Sequence, residues 1–321
     1  MPSAGLLAAL LAGLAIILAG PISALLARAS WSRRTPRAAL VLWQAVCLAA
    51  GISLVGAGLV LALWPLGHNI LTGLWRFLQD VGKGTPLAGM TGGGVVAGTL
   101  AGAAALILFG VLLRSMALAV RRRRAHRLVL DLLTSETQIG HEEIGDLLVG
   151  VRILDHAAAV AYTVSGWHSR VVLSAGLLDL LDRDQLAAVI NHERAHVRSR
   201  HDLLVLPFQA WATTLGWLPG VRQATTAVTD LTEMLADDWA ARRSGSKVLA
   251  GALATVALAG LPGLPAPTGS QTPAATSHSV SGRVGRLLDP SPLPVLVTAA
   301  VYVLAAVVLA IPLAVLIIGW R

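Results

Sequence analysis

The sequence predicts a mostly α-helical membrane protein with a small β-sheet: four spanning helices, and a water-facing domain inserted between the third and the fourth. Three observations carry this expectation. Four stretches, 6–27, 38–64, 95–120 and 293–320, stay apolar over the roughly 20 residues a helix needs to cross a hydrocarbon core. Hydrophobic residues make up 55% of the 321 positions and charged ones only 13%, so most of the chain can rest in an apolar medium. The charges that do occur gather in 121–292, where β-branched runs alternate with helical periodicity.

The first span begins Met1-Pro2-Ser3-Ala4-Gly5 with no Lys or Arg, its apolar run is long, and arginines follow it. A cleaved secretory signal has the opposite layout, so this helix is expected to be retained. Pro21 and Pro312 fall inside spans, where a bilayer protein tolerates them. Trp64 and Trp320 close the second and fourth spans, as interfacial aromatics should, and Arg114 can snorkel from the end of the third. Arg28, Arg33, Arg34 and Arg37 after span one, and Arg121 to Arg124 after span three, mark the cytoplasmic side by the positive-inside rule. The loop 65–94, with only Arg76 and Lys83, goes outside. Both termini are thus expected outside, and 121–292 in the cytoplasm of a plasma-membrane protein.

Within that domain, 159–164 and 170–174 are rich in β-branched residues and separated by Ser165-Gly166, the pattern of a small hairpin or two strands. Such an edge can bind an extended peptide through its main chain. Asp182 followed by Gln185 fits a capping box and starts a helix expected over 183–200. A second helix is expected over 229–243. Two more apolar stretches, 203–221 and 248–261, are short or interrupted for crossings and are expected as core or interfacial helices. The Pro-, Thr- and Ser-rich stretch 263–282 reads as a flexible loop ahead of the fourth span.

The net charge of +8 invites a nucleic-acid reading that its distribution rejects. Residues 121–292 hold 17 basic and 16 acidic side chains, and 12 against 16 once Arg121 to Arg124 and Arg127 are set aside. The arginines serve topology and lipid headgroups, and no direct nucleic-acid contact is expected. The single cysteine, Cys47, lies within a span, so neither a disulfide framework nor thiol chemistry is indicated.

The chemistry concentrates in His192-Glu193-Arg194-Ala195-His196, an HExxH signature. Residues four apart on a helix share a face, so both imidazoles reach one metal while Glu193 leans toward a neighbouring position. Leu186, Val189 and Ile190 form an apolar stripe that runs on into Glu193 and His196, so these polar groups fall on the buried face. Buried imidazoles and a carboxylate need partners, and a metal supplies them. Downstream, Glu233 and Asp237 are again four apart. Glu233 is expected as the third zinc ligand and Asp237 as the acceptor of a free imidazole N–H that fixes the ring's tautomer. Asp238 and Asp202 compete for these roles. Glu193 is expected as the general base, taking a proton from the attacking water and passing it to the leaving nitrogen.

This run through His201-Asp202, followed by Glu233 to Asp237, resembles the gluzincin membrane peptidases, namely the beta-lactam-sensor antirepressor family and its heat-shock membrane-protease relatives. The strand and turn Arg170-Val171-Val172-Leu173-Ser174-Ala175-Gly176-Leu177-Leu178 and the later stretch 278–287 with Arg283 are similar as well. The resemblance implies a zincin-like metalloprotease domain, zinc-dependent endopeptidase activity, and self-cleavage in or near 263–282 as an alternative to a plain linker. It implies a cytoplasmic protein substrate: a winged-helix transcriptional repressor in a signalling pathway, or damaged membrane proteins in quality control. Those receptors carry an extracellular penicillin-binding domain after the last span, whereas this sequence ends one residue past Trp320, so beta-lactam sensing is not expected. An extra oxyanion donor is also expected, with Arg283, His278 and Tyr162 as candidates. His68, His126, His141, His156, His168 and His201 are expected to have no metal role, and Glu142-Glu143 to form a helix face. A rival from another class is a receptor or scaffold that keeps the zinc fold for structure alone, and Glu193 tells against it.

Overall fold

A computed structural model describes residues 3–133, 151–164, 170–259 and 273–320, with the side chains of Arg123, 126–133, Val164, Arg170 and 273–279 outside the description. The chain divides into two units, Met1–Arg114 with Phe208–Val228 and Leu293–Arg321, and Ser115–Pro207 with Thr229–Pro292.

The first unit is built from α1 (Ala4–Ile17), a π-helical turn (Leu18–Ile22), α2 (Ser23–Arg28), α3 (Pro36–Leu63), α4 (Ile70–Gly82), the start of α5 (Gly92–Leu133) and, at its far end in sequence, α12 (Val295–Ile317). Ala4–Arg28, Pro36–Leu63, Gly92–Arg122 and Val295–Ile317 are long and apolar enough to cross a membrane, the make-up of a multi-pass membrane protein. Pro21 cannot donate to the helical ladder, and the first span answers with the π turn, where Ser23 Oγ donates to the Leu18 carbonyl at 2.7 Å. Trp43 and Val60 on α3 are fully buried. Close approach of α3 and α5 depends on Gly58, where a Cβ would stand 2.7 Å from both Ala101 Cβ and the Ala97 carbonyl.

Two boundaries differ from expectation. The third apolar helix does not stop at 120 but continues through the arginines to Leu133, because Arg is a good helix former and charge alone does not break a helix. The connecting segment 65–94 contains α4, started by a capping box in which the Thr72 N–H donates to Asn69 Oδ1 at 2.9 Å and the Asn69 N–H donates to Thr72 Oγ1 at 3.1 Å.

In the second unit a three-stranded sheet, β1 (Val151–Leu154), β2 (Ala161–Val164) and β3 (Arg170–Ser174), has the order β1-β3-β2, with β3 parallel to β1 and antiparallel to β2. The two expected strands are there; β1 is additional, and four residues give too short an alternation to read. Ser165-Gly166 lies outside the described residues. On β3, Val171 and Leu173 pack with Leu177, Leu186 and Ile190, while Val172 faces Leu154 and Tyr162. The helices are α6 (Ala175–Leu180), α7 (Arg183–Arg198), α10 (Ser246–Ala259) and α11 (Pro273–Leu288), together with the start of α8 (His201–Leu215) and the later part of α9 (Pro219–Ser244). Asp182 caps α7 through Gln185, accepting its N–H at 2.8 Å.

The stretches 203–221 and 248–261 fold as α8 with the start of α9, and as α10. Leu249 and Ala252 are fully buried on α10, which is therefore a core helix, while 208–228 groups with the spans. Of the expected flexible loop 263–282, residues 263–272 lie outside the described residues and 273–282 are helical, a correction to that reading. Pro273 is pre-set for the first helical turn, and Val284 and Leu287 bury against α10, so packing outweighs the loop-like composition.

Candidate metal centre

The centre lies wholly within the second unit, where α7 contributes His192, Glu193 and His196, α9 contributes Glu233 and Asp237, α11 contributes Arg283, and β2 contributes Thr163. The apolar stripe predicted on α7 is buried in the core, and it carries His192 inward to 7% exposure. His192 Nε2 stands 3.2 Å from His196 Nε2, and the Glu233 carboxylate lies 3.4 Å from each of them, through Oε2 and Oε1 respectively. One ligand atom from each of the three residues lies within 4.8 Å of the other two, so His192, His196 and Glu233 could together hold one metal ion. Among the described residues no other group of His, Cys, Asp or Glu converges in this way. Asp238, one of the competitors, pairs with Arg286 at 2.8 Å instead, and Asp202 is not in the cluster.

Asp237 is fully buried beneath the ligands. Arg283 donates to it with two prongs, Nε to Oδ2 and Nη2 to Oδ1, each at 2.7 Å. His192 Nδ1 lies 3.0 Å from Asp237 Oδ1, close enough for the acid to hold the ring. The third guanidinium nitrogen, Nη1, stands 3.1 Å from Glu233 Oε2. At 7% exposure, Arg283 has every guanidinium nitrogen turned to an acid and bridges Glu233 and Asp237. Tyr162 is on the strand face opposite its neighbour Thr163 and packs against Val172. The side chain of the third oxyanion candidate, His278, lies outside the description, as do those of His126, His141, Glu142, Glu143 and His168.

Two residues near the centre escaped sequence reasoning. Thr163 Oγ1 donates to Glu193 Oε2 at 2.7 Å, fixing the carboxylate against the edge strand. Only its place in a β-branched run hinted at it. His201 is not in the metal cluster, yet its Nδ1 is 3.1 Å from His196 Nδ1. Arg200 makes this contact by taking the left-handed conformation (φ 50°) that turns the chain between α7 and α8.

Charge follows from this geometry. Burial alone would lower the His192 pKa, but the carboxylates of Asp237 and Glu233 outweigh it and push the ring up to about 10. Burial brings His196 down to about 4 and His201 to about 4. Burial opposes ionisation of Asp237, but the Arg283 hydrogen bonds and His192 win and hold it at about 2. Glu233 is likewise held down, with burial outweighed by His192 and Arg283. Glu193 goes the other way: desolvation raises it, the direction that suits a carboxylate working as a proton acceptor near neutrality.

Residues 119–259 match the model of Peptidase family M48, a span that contains His192, Glu193, His196, Glu233 and Asp237 and stops short of Arg283. No curated protein and no solved structure matches the chain. The matched domain supports an M48 metallopeptidase, and with the four apolar helices it describes a membrane-associated protease.

Proposed function

We propose that this protein is an integral-membrane zinc endopeptidase that cleaves a cytoplasmic protein, with a winged-helix repressor in a signalling pathway as its substrate, as in the antirepressors it resembles. One observation carries the reading: ligand atoms from two imidazoles and a carboxylate converge within 4.8 Å of one another beside a second, half-buried carboxylate held by a threonine. The arginines that follow the first and third spans favour, by the positive-inside rule, a cytoplasmic domain with both termini outside. A purely structural scaffold would need His192, His196 and Glu233 but would have no use for Glu193.

His192, His196 and Glu233 would hold the ion, with Asp237 setting the His192 ring and Arg283 setting both acids. When bound there, zinc would supply Lewis acidity, lowering the pKa of a water to about 7. Glu193 accepts the proton of the attacking water on the carboxylate that Thr163 orients, then returns it to the departing amide nitrogen. Among the described residues β2 is an outer strand of the sheet beside Glu193, a position from which an extended substrate would be held through its main chain.

In the test, purified protein in detergent binds about one zinc, and chelation abolishes cleavage of a peptide library while zinc restores it. A Glu193→Ala trap in cells retains a winged-helix repressor. Recovery of misfolded membrane proteins instead would replace the signalling substrate by quality control and leave the chemistry standing.

Two further results are expected. His192 holds a proton at pH 7 in the metal-free protein and must give it up from the nitrogen that faces the ion, whereas His196, Glu233 and Asp237 are already deprotonated. Zinc binding should therefore release about one proton at pH 7, and affinity should rise with pH. Calorimetry in buffers of different ionisation enthalpy reads this directly, and zero release would contradict the charge pattern. In Thr163→Val, loss of a hydrogen bond to a charged group, about 1.5–3 kcal/mol, should slow cleavage by about 10- to 100-fold. Zinc stoichiometry should not change. Because that bond favours the ionised form of Glu193, the acid limb of the pH profile should move to higher pH.

A further inference from the structure

Helix α4 presents three faces. Ile70, Gly73, Phe77 and Asp80 point into the first unit, where Ile70 and Phe77 join the apolar cluster around Leu63 and Trp320. Thr72, Arg76, Gln79 and Lys83 form a polar strip. The remaining face, Leu71, Leu74, Trp75, Leu78 and Val81, recurs at helical spacing and is exposed throughout, by as much as 65% at Trp75. Five large apolar side chains in a row on a water-facing helix would be an unusual surface.

The location of this face says what covers it. The cap of α3 and the residues after α12 meet where Trp64 stacks on Trp320, with ring centroids 5.8 Å apart and planes within 7°. The Trp320 N–H donates to the His68 carbonyl, one residue before the Asn69 cap of α4. A Cβ on Gly73 would stand 2.9 Å from Leu63 Cβ, so α4 rests directly against the last turn of α3. Ile70 and Phe77, two turns apart, touch the same cluster, so the helix lies along the ends of the spans rather than pointing away from them. Stacked tryptophans at span ends mark the headgroup level. Leu54 and Leu61 on α3 and Val96 on α5 are likewise exposed apolar side chains, on spans whose outer surface meets lipid in a multi-pass protein.

We infer that α4 is an interfacial anchor that lies in the membrane plane. Leu71, Leu74, Trp75, Leu78 and Val81 enter the boundary between acyl chains and headgroups, while Arg76 and Lys83, on the polar strip, face the lipid phosphates and water. The inference rests on the multi-pass membrane assignment and not on the peptidase chemistry.

The test uses the full chain in liposomes of phosphatidylethanolamine and phosphatidylglycerol. Single cysteines at Leu74, Leu78, Gln79 and Lys83, in a Cys47→Ser background, carry spin labels whose collisions with oxygen and with a water-soluble nickel chelate are compared. A label at Leu106 on α5, 75% exposed, is the lipid-facing control. Labels at Leu74 and Leu78 should favour oxygen as Leu106 does, and labels at Gln79 and Lys83 should favour nickel. Equal nickel access at Leu78 and Gln79 would overturn the proposal. So would protection of Leu74 and Leu78 from both reagents, which would mean that a second copy or another protein covers the face. A water-exposed Leu106 would remove the membrane premise and the proposal with it. A second measurement keeps the native cysteine: the fluorescence lost on Trp75→Phe should be the component quenched by lipids brominated near the headgroup, and an unquenched component would equally refute the anchor.

Discussion

Glu193→Gln should bind zinc as the wild type does and lose peptide cleavage by about 10²–10⁴-fold, the contribution of a positioned general base. The substitution keeps the shape of the side chain and can keep the hydrogen bond from Thr163 Oγ1, because the glutamine carbonyl still accepts. What it removes is the capacity to take a proton. Metal content by elemental analysis and single-turnover cleavage, measured on the same preparation, separate the two properties. Full metal with unchanged cleavage would mean that another group activates the water, and Glu193 would become a packing residue. Loss of metal together with activity would mean that Glu193 supports the ligands, which its hydrogen bond to Thr163 on the edge strand argues against.

Asp237→Ala should be the most destabilising single change in the second unit. It leaves the Arg283 guanidinium buried at 7% exposure without its two-pronged partner and takes away the charge that holds the His192 ring. Breaking one side of a buried pair costs about 3–5 kcal/mol, and loss of the acid behind a ligating imidazole typically weakens metal binding about 10- to 100-fold. Denaturant unfolding of the metal-free, detergent-solubilised protein reads the first effect, and competition with a zinc chelator reads the second. The double variant Asp237→Ala/Arg283→Met should recover much of the stability, since it removes the stranded cation, but none of the affinity. A double variant no more stable than the single one would show that the pair is not the source of the loss. The same pair sets an acid limit. The Asp237 pKa is about 2, below the ordinary aspartate value of about 3.9. Its contribution to stability is therefore complete above about pH 4 and is lost as pH falls toward 2.

How much of this could be read in advance depends on the distance over which each relation is set. The pairing of His192 with His196, the inward turn of both through the Leu186, Val189 and Ile190 stripe, and the Asp182 cap are relations within one helix, and the structure has them as the spacing required. Glu233 and Asp237 were expected beside the imidazoles from their place downstream of HExxH, and Glu233 does join His192 and His196, but nothing local sets the approach of α9 that brings them there. Thr163 and His201 escaped for the same reason: an edge-strand hydroxyl and a histidine beyond a left-handed turn reach the site only through the packing of β2 on α7 and the turn at Arg200. Arg283 was noticed, but a sequence shows a cation and not how many acids surround it: Asp237 and Glu233 meet every guanidinium nitrogen. Composition misled over 273–282 because Ser, Thr and Pro describe solvent preference, whereas burial of Val284 and Leu287 against α10 settles the helix.

By itself, then, the sequence determined four apolar helices and a helix whose buried face carries two imidazoles and a carboxylate, since hydrophobic length and the 3.6-residue repeat are properties of the chain alone. Tertiary structure alone decided how α9 approaches the imidazoles, which hydroxyl holds Glu193, what Arg283 bridges, and that α4 lies along the span ends with an apolar face left open. Those contacts join elements far apart in the chain, and their distances are fixed by how helices and strands pack, which no local spacing encodes.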